Sequence, residues 1–140
     1  MTQLAIPFFK YHALGNDYIV VDPKDCPNPP SSEHIQHICH RHYGVGADGL
    51  LYGPIFQDNA IHVRIFNPDG GEAEKSGNGI RIFSRFLFDQ QYVKTQHFDL
   101  HTKGGVVGVN YLSDDASEIQ VAMGEPIFDP IRIPLTTPAQ

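Results

Sequence analysis

The sequence predicts an α+β domain in which a β-sheet is rolled as a barrel around a central helix. Three observations lead there. Short β-branched and aromatic runs bounded by Gly, Pro, Asn and Asp recur along the 140 residues, which is strand patterning. The stretch Gly79-Ile80-Arg81-Ile82-Phe83-Ser84-Arg85-Phe86-Leu87-Phe88 is apolar around most of a helical circumference, with Arg81, Ser84 and Arg85 as a narrow polar stripe. Such a helix must be buried on nearly every side, and in a small β-rich domain the sheet itself is the economical wrapping.

The elements follow in order. Residues 8–12 (FFKYH) and 18–22 (YIVVD) read as strands around a turn at Ala13-Leu14-Gly15-Asn16-Asp17. The proline-rich segment 23–30 is a loop, and 32–42 is a helix with a serine at its N-cap, Glu33 in its first turn and Gly44 just beyond. Residues 50–52 are a strand. So are 61–66, where Ile61, Val63 and Ile65 alternate with His62 and Arg64, the mark of a half-buried strand. Asn67-Pro68-Asp69-Gly70-Gly71 is a turn, and the helix at 79–88 follows. Residues 98–102 and 106–112 form a hairpin about Lys103-Gly104-Gly105, and 117–123 is a last strand. Residues 1–123 are thus one lobe, and the proline-punctuated 124–140 an exit linker.

Composition narrows the function. At 41% apolar and 19% charged residues, a packed core is within reach and disorder is not expected. The net charge of −6 argues against nucleic acid or an anionic membrane surface as partner. No apolar run approaches the ~20 residues of a membrane span, and the first residues lack the features of a signal peptide. Two cysteines, Cys26 and Cys39, cannot build a disulfide scaffold. A reduced, cytoplasmic, globular protein is expected.

Gly44-Val45-Gly46-Ala47-Asp48-Gly49 satisfies G-x-G-x-x-G, but with a helix before it and a strand after, the reverse of a dinucleotide site; a tight connecting loop is the better reading. His34, His37 and His40 fall on one helix face without an interleaved acidic ligand, which favours a solvated polar face over a metal site. The richest stretch is 66–79 (FNPDGGEAEKSGNG), leading into the buried helix. A glycine-rich helix opening exposes backbone N–H groups and the positive dipole end, suited to a carboxylate or phosphate. Ser76 and Asn78 serve equally well as plain helix caps, because capping and anion binding use the same atoms. Asn16 and Asn67 sit at strand ends where an amide reaches either a ligand or a turn.

Four ordered stretches, 9–18 (FKYHALGNDY), 41–49 (RHYGVGADG), 64–70 (RIFNPDG) and 74–81 (EKSGNGIR), together resemble the N-terminal half of diaminopimelate epimerase, and 121–126 (VAMGEP) is similar to the close of that half. The resemblance implies two similar lobes, each a sheet rolled around a helix. It implies an isomerase that interconverts LL- and meso-diaminopimelate by two-base proton transfer at the α-carbon, with no PLP, other cofactor or metal. In that family two cysteines, one per lobe, flank the α-carbon. By the same resemblance Ser76 stands at the first cysteine's place as the catalytic residue, while Asn16, Asn67, Gly77 and Asn78 bind the substrate. Helix-end neutralisation of the substrate carboxylate would acidify the α-hydrogen.

Two departures matter. An alcohol needs more help than a thiol to move a proton. The second lobe, with its own cysteine, is also missing from these residues, so the chain alone is expected to be inactive. Alternatives are a racemase of another amino acid, a related isomerase with chemistry altered by the serine, or a non-catalytic amino-acid-binding lobe. The oligomeric state, a homodimer included, stays open.

Overall fold

The computed structural model describes residues 5–133. Chain order is β1 (Phe9–Ala13), β2 (Asn16–Val21), α1 (Ser32–Cys39), β3 (Leu50–Gln57), β4 (Ala60–Phe66), β5 (Glu72–Ala73), α2 (Gly77–Asp89), β6 (His97–Thr102), β7 (Gly105–Tyr111) and β8 (Ile119–Val121). One eight-stranded sheet runs β1-β2-β3-β4-β6-β7-β8, with β5 added to β4. Pairing is antiparallel except at β2–β3 and β4–β6. Those parallel joints are the two places where a helix lies between consecutive sheet neighbours, because a parallel return needs a crossover.

Strand alternation sends each helix to its own face. Tyr18 and Val20 of β2, Leu51 of β3, and Val63 and Ile65 of β4 pack with Ile80, Ile82, Phe83, Phe86 and Leu87 of α2. The residues of opposite parity, Ile19, Val21, Leu50, Tyr52 and Phe66, pack with Ile35 and Cys39 of α1. Helix α2 touches β1, β2, β3 and β8, so both edges of the sheet come round to it. The result is a half-barrel rolled about a central helix, as the all-round apolar pattern required. Its seam, between β1 and β8, is a slot lined by Tyr11, His12, Arg81, Arg85, Ser117 and Ile119. Neither described helix is long and apolar enough to cross a membrane.

Several boundaries differ from expectation for local reasons. Leu14 and Gly15 both take positive φ (55° and 85°). That compresses the first turn to two residues, as in the primed hairpin turns, and places Asn16 in β2 opposite Ala13. Helix α1 ends at Cys39 rather than 42, because His40 turns extended (φ −66°, ψ 121°) and its Nδ1 accepts the amides of His42 and Tyr43, both at 3.1 Å. Strand β3 continues through Gly53-Pro54 to Gln57, with an irregular register against β4 between Tyr52 and Ile55. Strand β5 has no counterpart in the sequence reading. Ser84 is not on a polar stripe. It is fully buried, its hydroxyl donates to the Ile80 carbonyl (2.7 Å) and its own carbonyl accepts from Tyr111 (2.6 Å), which removes the cost of burying it.

The last strand is shorter than 117–123. Residues 122–129 are without regular structure, 130–133 form a turn, and nearly all are exposed. The rest of the expected linker, 134–140, lies outside the described residues.

Candidate active site

Helix α2 begins at the stretch the sequence singled out. Ser76 is its N-cap, extended at φ −147° and ψ 116°. Its hydroxyl accepts the Gly79 amide at 3.0 Å, and its carbonyl accepts the Ile80 amide at 2.8 Å. The first amides of a helix have no partner within it; the cap satisfies that of Gly79, the Ile80 amide makes the first bond of the helix itself, and among the described residues those of Gly77 and Asn78 have no partner. The first turn holds no acidic residue, so nothing there offsets the positive end of the dipole. A methyl group at Gly77 would touch nothing within 4 Å. Such an opening can hold a carboxylate.

Strand β2 supplies the wall. Its α2-facing parity contains Asn16, Tyr18 and Val20. The Tyr18 hydroxyl lies 3.1 Å from Ser76 Oγ, and the Asn78 side-chain amide donates to Asn16 Oδ1 at 3.1 Å. Asn16 donates in turn to Asp48 Oδ2 (2.9 Å), while Arg81 donates to Asn78 Oδ1. The charges at the two ends set both amide orientations. A carboxylate accepts only, and a guanidinium donates only. The series Arg81, Asn78, Asn16, Asp48 therefore has one sense, and each asparagine keeps capacity for one further partner on either atom.

Behind Asn16 is an ionic buttress. Arg41 donates to both oxygens of Asp17 (3.2 and 2.8 Å) and to Asp48 (2.9 Å), and Lys10 lies 3.2 Å from Asp17. The Arg41 hydrogen bonds, assisted by Lys10 and opposed by burial, hold the Asp17 carboxyl well below the usual carboxylate range. This network ties the loop before β3 to the start of β2, where Asn16 sits.

The structure therefore brings Ser76, Gly77, Asn78 and Asn16 together. Asn67 is not joined to them: it is exposed at the end of β4, where its backbone closes the 67–71 turn (Asn67 N–H to the Gly71 carbonyl, 2.8 Å). Tyr18, Asp48, Arg41 and Arg81, which the sequence reading did not single out for the site, join these residues through hydrogen bonds. The even spacing of Asn16 and Tyr18 on one strand was the available signal for Tyr18. The ionic partners depend on pairings across the fold.

The G-x-G-x-x-G stretch is a packed connection. A Cβ at Gly44 would fall 1.9 Å from the His37 carbonyl oxygen, and one at Gly49 would meet the Tyr18 ring at 2.5 Å. His34 and His37 lie on the exposed face of α1, and among the described residues no three His, Cys, Asp or Glu gather as a metal-binding group. Cys39 packs under α1, on the opposite face of the sheet from α2, and burial raises its thiol pKa.

Comparison with known proteins places this geometry. A diaminopimelate epimerase family model matches residues 8–128. Diaminopimelate epimerase 2 of Nostoc sp. is 51% identical over 122 residues, 86% of this chain and 42% of that protein. Diaminopimelate epimerases of Synechocystis sp. and Methanocella arvoryzae are 40% and 39% identical, over 95% and 92% of this chain and 48% and 47% of theirs. The chain thus spans about half the length of the curated relatives it matches. Among solved structures, a PhzF-family phenazine biosynthesis protein of Bacillus anthracis (TM-score 0.61, 22% identity, 83% of this chain and 39% of that one) shares the fold. So does a hydroxyproline epimerase of Agrobacterium vitis (TM-score 0.61, 16% identity, 78% and 38%). A half-barrel whose central helix opens on an amide-rich mouth, matched by the family model over nearly its whole described length, belongs to the diaminopimelate epimerase family.

Proposed function

We propose that this chain is one lobe of a cofactor-independent amino-acid epimerase that interconverts LL- and meso-diaminopimelate, with Ser76 as the acid/base on one face of the α-carbon. One observation carries the reading: the α2 mouth combines two amides left without a helical partner, no acidic side chain, and a hydroxyl at the cap. The substrate's α-carboxylate docks on the Gly77 and Asn78 amides, and the dipole's positive end stabilises the carbanionic transition state as the α-proton leaves. Asn16 and Asn78 offer their spare amide capacity to the carboxylate and amino groups, and Asn67 approaches from the end of β4. The opposite face needs a second group, supplied by a further lobe that 124–140 leads to; lobe 1–123 alone does not turn over. The setting is the cytoplasm, consistent with two free cysteines.

One observation favours a second reading, an amino-acid-binding lobe without turnover. Among the described residues, no imidazole or carboxylate hydrogen-bonds to Ser76, the usual means of activating an alcohol. Deuterium incorporation at the α-carbon of diaminopimelate, followed by NMR with the full-length protein, separates the two. An epimerase exchanges and Ser76→Ala stops it. A wild-type protein that binds the amino acid without exchange refutes the catalytic reading, and exchange untouched by Ser76→Ala removes Ser76 from it.

A further inference from the structure

Ser76 has an unusual companion for an acid/base position, the phenol of Tyr18. The Tyr18 side chain is only 7% exposed, and its hydroxyl makes one hydrogen bond among the described residues, to Ser76 Oγ at 3.1 Å. A buried phenol of this kind is fixed by its partner, because losing it would leave a desolvated hydroxyl. The ring's place is secured from behind as well. A Cβ at residue 49 would lie 2.5 Å from Tyr18 Cε1 and 2.7 Å from the Phe66 carbonyl oxygen, so the glycine there makes the space the ring fills. Ser76 Oγ already accepts the Gly79 amide. Once Tyr18 also donates to it, both lone pairs are taken, and the serine's own hydrogen is free to turn towards the open mouth beside Gly77.

We propose that Tyr18 is a positioning residue that orients the Ser76 hydroxyl and exchanges its proton, so that an alcohol can do the work of a stronger acid. The inference rests on the epimerase reading and assigns the acid/base of this lobe to a hydroxyl pair. In the donating direction the Ser76 O–H bond breaks as the carbanion's electron pair forms the Cα–H bond. The O–H electrons stay on Oγ, the Tyr18 proton moves to that oxygen, and the negative charge comes to rest on the phenolate. In the abstracting direction the same transfers run backwards: the phenolate left by a donating step takes the Ser76 proton while Oγ takes the α-proton, and the carbon keeps the electron pair. The direction of the gain is set by chemistry: a phenol is roughly a million-fold stronger acid than a hydroxyl as weak as that of water. The Gly79 amide stabilises whichever oxygen charge develops on Ser76.

The test compares kcat and KM for α-proton exchange by the full-length protein, as wild type, Tyr18→Phe, Ser76→Cys and the double variant. Tyr18→Phe keeps the ring and removes only the hydroxyl. It is expected to lower kcat about 100-fold with KM within twofold. In the Ser76→Cys background the same change is expected to cost less than threefold, since a thiol does not need the phenol. A Tyr18→Phe protein with kcat within threefold of wild type overturns the inference. So does an equal loss in both backgrounds, or a loss confined to KM, because a purely structural tyrosine gives those results. Wild type that exchanges while Tyr18→Phe exchanges just as fast defeats only the role of Tyr18; wild type that does not exchange defeats the epimerase reading beneath it.

Discussion

Two helices of this domain start with the same local chemistry and end up with different prospects. At α1 the hydroxyl of Ser31 accepts the His34 amide (3.3 Å), and at α2 that of Ser76 accepts the Gly79 amide (3.0 Å). The second residue of each helix then separates them. In α1 it is Glu33, an acid that offsets the positive dipole end from within. In α2 it is Asn78, neutral and tethered to Asn16. Ser31 and Glu33 face solvent on the outside of the sheet, whereas Ser76 lies under the β2 wall with Tyr18 against it. A serine cap is therefore only a cap until the sequence withholds the neutralising acid and the fold encloses the amides that remain.

This contrast can be broken in graded ways. The largest effect is expected in the packing that holds α2 in place. Phe83 is wholly buried within the rolled sheet, and Phe83→Ala should cost about 4 kcal/mol in urea unfolding. Ile35→Ala, on the one-sided α1, should cost about 3 kcal/mol, because a cavity under a surface helix collapses more easily. Equal losses would mean that wrapping adds nothing to the central helix.

Next comes the mouth. Gly77→Asp introduces a carboxylate where no atom stands in the way. Full-length protein should lose α-proton exchange about 100-fold, or about 2.7 kcal/mol, while the fold gains about 0.5 kcal/mol from an acid in the first turn. Glu33→Gln on α1 should do the reverse, losing about 0.5 kcal/mol with exchange unchanged. Exchange that survives Gly77→Asp would show that the substrate does not dock there.

The caps themselves should differ by less. Ser31→Ala is expected to cost about 1 kcal/mol, the usual value for a lost cap. Ser76→Ala should cost about 2 kcal/mol, since it also strands the buried Tyr18 hydroxyl; matching losses in denaturant titrations would argue that Tyr18 finds another partner. The smallest effect concerns the buttress. Because its folded pKa is depressed, Asp17 contributes stability that is complete above its unfolded value of about 3.9 and is lost as pH falls below it. Arg41→Gln should flatten the stability decline below about pH 4, and an unchanged acid limb would detach Asp17 from Arg41.

Much of the fold was legible because it depends on periodicity. The apolar circumference of 80–88 required enclosure, and the alternation at 61–66 required a half-buried strand. What escaped depended on partners far along the chain. Strand β5 is two residues long and exists only by pairing with Ile65 and Phe66. Ser84 looked like surface because a hydroxyl is polar, yet it is satisfied by the helix's own Ile80 carbonyl and needs no water. The strand read at 50–52 is longer than expected, because β3 runs on through Gly53-Pro54 to pair with β4 as far as Gln57 and Ala60. Of the site, Ser76, Gly77 and Asn78 were readable because they are consecutive. Asn67, read by the same logic, closes the turn after β4 and makes no hydrogen bond to those three among the described residues.

By itself, then, the sequence determined the local facts: that a helix apolar on nearly every side follows 66–79, that a glycine-rich stretch with Ser76 and Asn78 opens it, and that 61–66 is a half-buried strand. Only the tertiary structure decided which side of β2 meets α2, and that it would bring Tyr18 onto a serine 58 positions away and Asn16 onto an asparagine 62 positions away. Propensity and capping act between neighbours within a turn or two, whereas the choice of face and partner follows from burying both helices on opposite sides of one curled sheet.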